Sequence, residues 1–216
     1  MTYLSRVELN PYRRETIAAM NSPQIMHAAV MASFISTEPQ QGSRVLWRVD
    51  TVGSSVFLLI QSGSRPDLHH IVDQFGRPDA GQKGDTLDYE PFLNGIKEGG
   101  RYRFRIRANP VRSIPADGCR GKVKAHVTAV QQSEWLLSRA EKCGFAIESG
   151  ENGYSIDVTN RTVMKFNRGN SVVTVAAATF EGVLEVVDRD LFLNTIRCGI
   201  GRAKAYGCGM ISILEV

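Results

Sequence analysis

Hydrophobic and polar positions alternate from Tyr3 to Leu9, a period of two that predicts a half-buried strand ended by Asn10-Pro11. Ser22-Pro23 then provides a helix N-cap with proline at the first helical position, and an apolar run follows from Ile25 to Ile35. Val45–Val49 and Val56–Ile60 read as two strands of a hairpin turning near Gly53. A short helix over Pro66–Val72, a loop carrying Gly76, Pro78 and Gly81, and a weak strand over Thr86–Tyr89 complete the first half. Strand, helix, strand, strand, helix, strand is the βαββαβ order of a ferredoxin-like unit.

Glu98-Gly99-Gly100 marks a boundary, after which the pattern begins again. Tyr102–Ala108 predicts a strand ended by Asn109-Pro110, and Gly121–Val130 another. Ser133 is placed to cap a helix over Glu134–Cys143. Tyr154–Phe166 and Val172–Val187 form a long hairpin turning through Asn167-Arg168-Gly169-Asn170. A short helix over Asp190–Arg197 and a closing strand over Gly209–Val216 finish the chain. The expected fold is α+β: two tandem ferredoxin-like, RRM-like βαββαβ domains, spanning residues 1–97 and 98–216.

Composition narrows the classes without changing this picture. With 216 residues, 43% hydrophobic and 22% charged, the chain matches globular averages. It is long enough to bury roughly 70% of its unfolded surface without a disulfide or metal staple. No apolar run approaches the ~18 residues that span a bilayer, so no membrane is expected. The N-terminus shows no basic-then-apolar signal sequence. Cys119, Cys143, Cys198 and Cys208 form no C-x-x-C pair, which fits a reduced, cytoplasmic protein. The formal charge of +4 permits an anionic partner without demanding one.

The candidate chemistry is mostly basic. In Gly100-Arg101-Tyr102-Arg103-Phe104-Arg105-Ile106-Arg107, alternation puts Arg101, Arg103, Arg105 and Arg107 on one face of a strand. Such a face is either a solvated one with acidic neighbours or a nucleic-acid surface, and the few acids nearby in sequence tilt the reading toward phosphate contacts, where each guanidinium binds bidentately. Lys122, Lys124 and His126 share a second strand face, and Lys165 and Arg168 lie at the tip of the long hairpin. Gly199-Ile200-Gly201-Arg202-Ala203-Lys204-Ala205-Tyr206-Gly207-Cys208-Gly209 follows a helix and precedes a strand. That is the reverse of a Walker loop or a dinucleotide fingerprint, so no nucleotide cofactor is expected. Its glycines admit close approach by an RNA backbone or a neighbouring helix, with Arg202 and Lys204 adding charge. His27, His69, His70 and His126 occur in no metal-ligand spacing. Judged by its neighbours alone, His27 fits a core or helix-end position better than a catalytic one, and His126 competes with it as an acid or base.

Taken together, several segments resemble the CasE family of CRISPR-associated endoribonucleases of type I-E systems. They are Tyr3-Leu4-Ser5-Arg6-Val7, His27 in the first helix, and Arg103-Phe104-Arg105-Ile106-Arg107-Ala108-Asn109-Pro110. Phe180-Glu181-Gly182-Val183-Leu184 and the terminal glycine-rich segment complete the set. The resemblance implies tandem ferredoxin-like domains that cleave CRISPR repeat precursor RNA beside a stem-loop. The implied reaction uses no metal or cofactor: the ribose 2′-hydroxyl attacks the adjacent phosphate and leaves a 2′,3′-cyclic phosphate. The family histidine maps onto His27, reversing the reading from its neighbours. Some members carry a tyrosine three residues earlier, where this chain has Gln24. The family's basic hairpin maps onto Lys165 and Arg168, as RNA contacts and transition-state stabilisers. Arg101 to Arg107, Lys122, Lys124, Arg202 and Lys204 would grip the stem. The resemblance also implies retention of the product hairpin and membership of the Cascade surveillance complex. A non-cleaving RNA-binding subunit of that complex is the alternative, and a small-molecule enzyme on the same fold is a remoter one.

Overall fold

A computed structural model describes residues 1–34, 43–77, 81, 83–116, 119–150 and 153–216. Ile35, expected to end the first helical run, and Pro78 of the expected loop lie outside the described residues. The first lobe runs β1 (Tyr3–Leu9), α1 (Arg14–Asn21), α2 (Pro23–Ala32), β2 (Leu46–Val52), β3 (Ser55–Ser62), α3 (His69–Phe75) and β4 (Asp85–Asp88). Its antiparallel sheet has the order β2-β3-β1-β4. Alternation works as expected in β1: Ser5, Val7 and Leu9 are buried, joining Met26, Val30, Leu58, Ile60 and Phe75 in or beside one core.

The second lobe follows α4 (Glu90–Gly95). It comprises β5 (Arg101–Ala108), β6 (Val111–Ala116), β7 (Cys119–Ala125), α5 (Ala129–Ala140), β8 (Phe145–Ile147), β9 (Ser149–Gly150), β10 (Gly153–Tyr154), β11 (Ile156–Arg168), β12 (Ser171–Val186), α6 (Arg189–Cys198) and β13 (Ile211–Glu215). The main sheet has the order β11-β12-β5-β13, with β8 also on β12. Counting β11 as the second strand of the unit, this is the same order as in the first lobe, and the ferredoxin-like α+β reading holds for both sheets. Tyr102, Phe104 and Ile106 enter a core with Trp135, Phe180 and Phe192. Tyr89, Leu93 and Ile96 of the α4 region pack in this second core although they precede Glu98-Gly99-Gly100.

Several elements depart from expectation for identifiable reasons. Helix α1 carries no apolar stripe: Ile17 and Met20 are exposed and only Thr16 and Ala19 are buried, so periodicity does not reveal it. Helix α3 starts three residues later than expected, because the Asp67 carboxylate accepts the His69 backbone N–H at 3.0 Å and holds that turn outside the helix. The strand expected over Gly121–Val130 is instead the second arm of the β6–β7 hairpin, followed by the start of α5. Thr128, not Ser133, is the cap: its side chain accepts from the Gln131 backbone while Gln131 reaches back, a full capping box. The β-branched residues Val127, Thr128 and Val130 mask that signal.

The lobes are joined through Arg48 on β2, which is 2% exposed. Its Nε and Nη2 donate to the Asp50 carboxylate at 2.8 and 2.7 Å. Its Nη1 donates to the Arg105 and Met210 carbonyls at 3.0 Å, and Nη2 also donates to Ser212 Oγ at 3.0 Å. Gln61 adds a second tie, donating to the Ile196 carbonyl at 2.6 Å. Breaking a buried ion pair on one side typically costs about 3–5 kcal/mol, because the remaining charge is left uncompensated. Arg48→Met is expected to lower unfolding stability by that amount in urea titrations. A loss below 1 kcal/mol would show that Arg48 does not hold the lobes together.

Candidate active site

Helix α2 starts at Pro23, with Ser22 in extended geometry at the N-cap, and buries Met26, Ala29 and Val30. That packing leaves His27 half-buried. Its Nδ1 is buried with no hydrogen-bond partner among the described residues. Burial is the main cause that holds the imidazole below its usual titration range, and the positive charges of Arg168 and Arg44 add to it. A neutral ring at pH 7 can accept a proton. Gln24 lies three residues before His27, on the adjoining turn of the same helix face.

The hairpin of β11 and β12 brings Arg168 to this helix from the second lobe. Phe166 is buried and meets the Tyr206 ring edge-on at 4.8 Å, within a small core that includes Val175, Ala177 and Cys208. Strand alternation puts Arg168 on the face of Phe166 and turns Lys165 to the opposite face. The two hairpin cations therefore separate, and Arg168 is the one whose charge acts on His27. Arg44, which has no motif around it, reaches the same place because its backbone N–H donates to the Arg197 carbonyl at 3.2 Å. Its charge bears on both His27 and Lys204. Burial holds the Lys204 ammonium below its usual range, and Arg44 lowers it further.

The glycine-rich segment serves as the lobe-to-lobe joint. A Cβ on Gly207 would stand 2.8 Å from the Trp47 ring, and one on Gly201 would stand 3.0 Å from the Trp135 ring. Both residues also have positive φ, at 73° and 77°. Trp135 belongs to helix α5 and Trp47 to strand β2, and a Cβ on Gly199 would likewise stand 3.0 Å from Leu46 of β2.

The arginine face of β5 is less open than its sequence surroundings indicated. Arg101 pairs with Glu148, and Arg105 pairs with Glu181 at 2.7 Å and with Asp50 at 3.8 Å. These acids come from distant segments, which explains why local composition did not reveal them. Among the described residues, the buried Nε of Arg107 has no partner and Arg103 forms no ion pair. Arg107, Met26, Trp47 and Met164 help to line a cleft of about 350 Å³ between the lobes. Lys122 and Lys124 are exposed on β7, and Arg202 Nη2 donates to Ser113 Oγ of β6 at 3.3 Å. His126 lines a separate cavity beside that hairpin. Among the described residues no group of three or more His, Cys, Asp or Glu could hold a metal ion. No helix among them is long and apolar enough to cross a membrane.

Two ferredoxin-like α+β lobes thus meet where a half-buried imidazole of the first lies among cations. The chain belongs to the family described as CRISPR associated protein, whose model matches residues 2–214. It is 29% identical to the CRISPR-associated endoribonuclease Cse3 of Thermus thermophilus, over 98% of this chain and 99% of that protein. A solved structure of Thermus thermophilus Cse3 bound to an RNA representing a pre-cleavage complex superposes with a TM-score of 0.85 and 28% identity, covering 99% of both chains. The Cascade subunit CasE of Escherichia coli is 30% identical over 51% of this chain and 56% of its own length. The resemblance to CasE read from the sequence is thereby shown.

The electrostatics around His27 make a direct prediction. In an NMR titration of the RNA-free protein, the His27 ring is expected to titrate below 6.5. Arg168→Ala is expected to move that midpoint upward, since removing a nearby cation favours the imidazolium. An unchanged midpoint would mean that Arg168 does not face His27 in solution.

Proposed function

We propose that this protein is an endoribonuclease that processes CRISPR repeat precursor RNA, cleaving beside a stem-loop, with His27 as its proton acceptor. The observation that carries this reading is the convergence of His27 from the first lobe with Arg168 from the second. Kinship with Cse3, whose RNA complex has the same fold over 99% of this chain, supports the substrate class.

In the proposed reaction the 2′-oxygen bonds to the adjacent phosphorus as the bond from phosphorus to the 5′-oxygen breaks. His27 takes the 2′ proton, a role suited to an imidazole that holds its own proton weakly, and the leaving oxygen is protonated by water. A positioned base typically contributes ~10²–10⁴-fold. Arg168 offsets the charge that develops on the phosphorane oxygens, with Arg44 beside it. No step draws on a metal ion, which makes the reaction testable in chelator. Lys122, Lys124, Lys165, Arg202, Lys204 and the arginines of β5 are proposed to hold the stem, with shape and phosphate contacts dominating its recognition. Residues 1–97 thus supply the histidine, and residues 98–216 supply most of the basic surface.

Retention of the product hairpin, and assembly with other Cascade subunits, form part of the same proposal. The name of the Escherichia coli relative, a Cascade subunit, supports the second of these. A cytoplasmic site of action accords with Cys143, Cys198 and Cys208, none of which forms a disulfide.

The test is cleavage of labelled stem-loop repeat RNA in EDTA. The unaltered protein is expected to cut, and His27→Ala is expected to bind with near-unchanged affinity while losing at least ~10²-fold in rate. Equal cutting by both would remove His27 from the chemistry and bring forward His126. Tight binding without cutting by either would favour a purely RNA-holding subunit.

A further inference from the structure

Strand β11 changes face partway along its length. Ile156 and Val158 pack against the second-lobe core that holds Phe180. Met164 and Phe166, also even-numbered, pack instead with Val175, Ala177 and Cys208 in the small core at the lobe joint. Thr159 and Met164 both line the cleft between the lobes. Their odd separation would put them on opposite faces of a regular strand. The neighbouring strand β12 shows no such change: Thr179 lines that cleft, and Ala177 and Val175 continue on the same face.

The cause is one extra residue. Thr159 pairs with Thr179 and Thr162 with Ala177, so Asn160 and Arg161 stand opposite Ala178 alone, the two-against-one arrangement of a β-bulge. Pairing of β12 with β5 also begins at Ala178, so the bulge lies where the hairpin leaves the main sheet. Asn160 has a φ of 40°, a left-handed conformation that asparagine tolerates far better than β-branched residues do. Its Oδ1 accepts from Thr162 Oγ1 at 3.2 Å across the bulge. Arg161 Nη1 donates to the Val127 carbonyl at 3.3 Å, tying the bulge to the chain ahead of α5. Past the bulge, the even-numbered positions of β11 face the lobe joint, where α2 meets this strand. Without it the odd-numbered positions would face there, and Lys165 would take the side that Arg168 now holds.

We propose that the Asn160–Arg161 bulge is the positioning element of the site: by exchanging the faces of β11 it turns Arg168 toward His27 and Lys165 away. The choice between these cations matters chemically. A guanidinium holds two phosphate oxygens in a fixed fork, whereas an ammonium acts as a point charge. Arg168 is thus directed to the reacting phosphate, and Lys165 is left on the outer face for the stem. The chemical role rests on the RNA reading above, and Asn160 adds to it a residue that sets the geometry without touching the reacting atoms.

The test compares Asn160→Val, whose branched side chain disfavours a positive φ, with Asn160→Gly, which adopts one freely. Asn160→Val is expected to raise the His27 NMR titration midpoint as far as Arg168→Ala does. It is also expected to slow single-turnover cleavage of stem-loop repeat RNA by about tenfold or more, since small misplacements cost rate steeply. Asn160→Gly is expected to match the unaltered protein in both measurements. Placed on Arg168→Ala, Asn160→Val is expected to move neither quantity further, because both changes act through one contact. If Asn160→Val lowers the melting temperature but leaves midpoint and rate unchanged, the bulge is merely structural and the proposal is overturned. Equal losses in Asn160→Val and Asn160→Gly would also overturn it, since the backbone conformation would not be the cause. If the midpoints shift as expected and even the unaltered protein cuts no RNA, the RNA reading falls and the positioning of Arg168 stands.

Discussion

A single buried guanidinium determines how the halves of this protein face each other. Arg48 leaves water only because every direction it offers is met: the Asp50 carboxylate from its own strand, and the Arg105 carbonyl, Met210 carbonyl and Ser212 hydroxyl from the opposite lobe. A buried charge tolerates little misalignment, since each lost partner exposes the full desolvation penalty. Apolar packing alone accepts small slides, whereas a five-donor fork does not. The position of α2 relative to the β11–β12 hairpin, and so of His27 relative to Arg168, depends on that fork.

The glycine-rich segment refines the same alignment. It lies between two indoles, Trp47 of the first lobe and Trp135 of the second, and its own Tyr206 meets Phe166 at the hairpin. One stretch of eleven residues thus touches both cores and the base of the hairpin. His27, Arg44, Arg168 and Lys204 gather at this joint; burial is the first cause that holds the His27 and Lys204 titrations down, and the neighbouring arginine charges add to it. An anion placed among these groups would offset their mutual repulsion, which is the electrostatic basis of the proposed phosphodiester site.

The sequence revealed the two-sheet plan well, because alternation is strong in strands such as Tyr3–Leu9 and Tyr102–Ala108, each with one face in a core. It revealed less where side chains carry no contrast. Helix α1 buries a threonine and an alanine, and the β6–β7 hairpin has its apolar Val123 half exposed, so neither shows a stripe. In the site, His27 and the hairpin cations were found through family likeness rather than through their local surroundings. Arg44 escaped both, since only the chain's return to α6 brings it near. The acids opposite Arg101 and Arg105 were equally invisible, lying about 50 or more residues away in sequence.

The hairpin can finally be regarded as a cantilever. Its clamp is the contact of Phe166 with Tyr206, and Arg168 projects two residues beyond it, roughly 7 Å at ~3.3 Å per residue. A short overhang bends little, so the guanidinium keeps its aim even though the strand around it is exposed. The same ribbon continues with only a two-residue turn past that point. Lengthening the turn would add flexible mass beyond the working tip and leave the lever arm itself unchanged, whereas inserting a single residue between Phe166 and Arg168 would swing the cation to the far side of the ribbon.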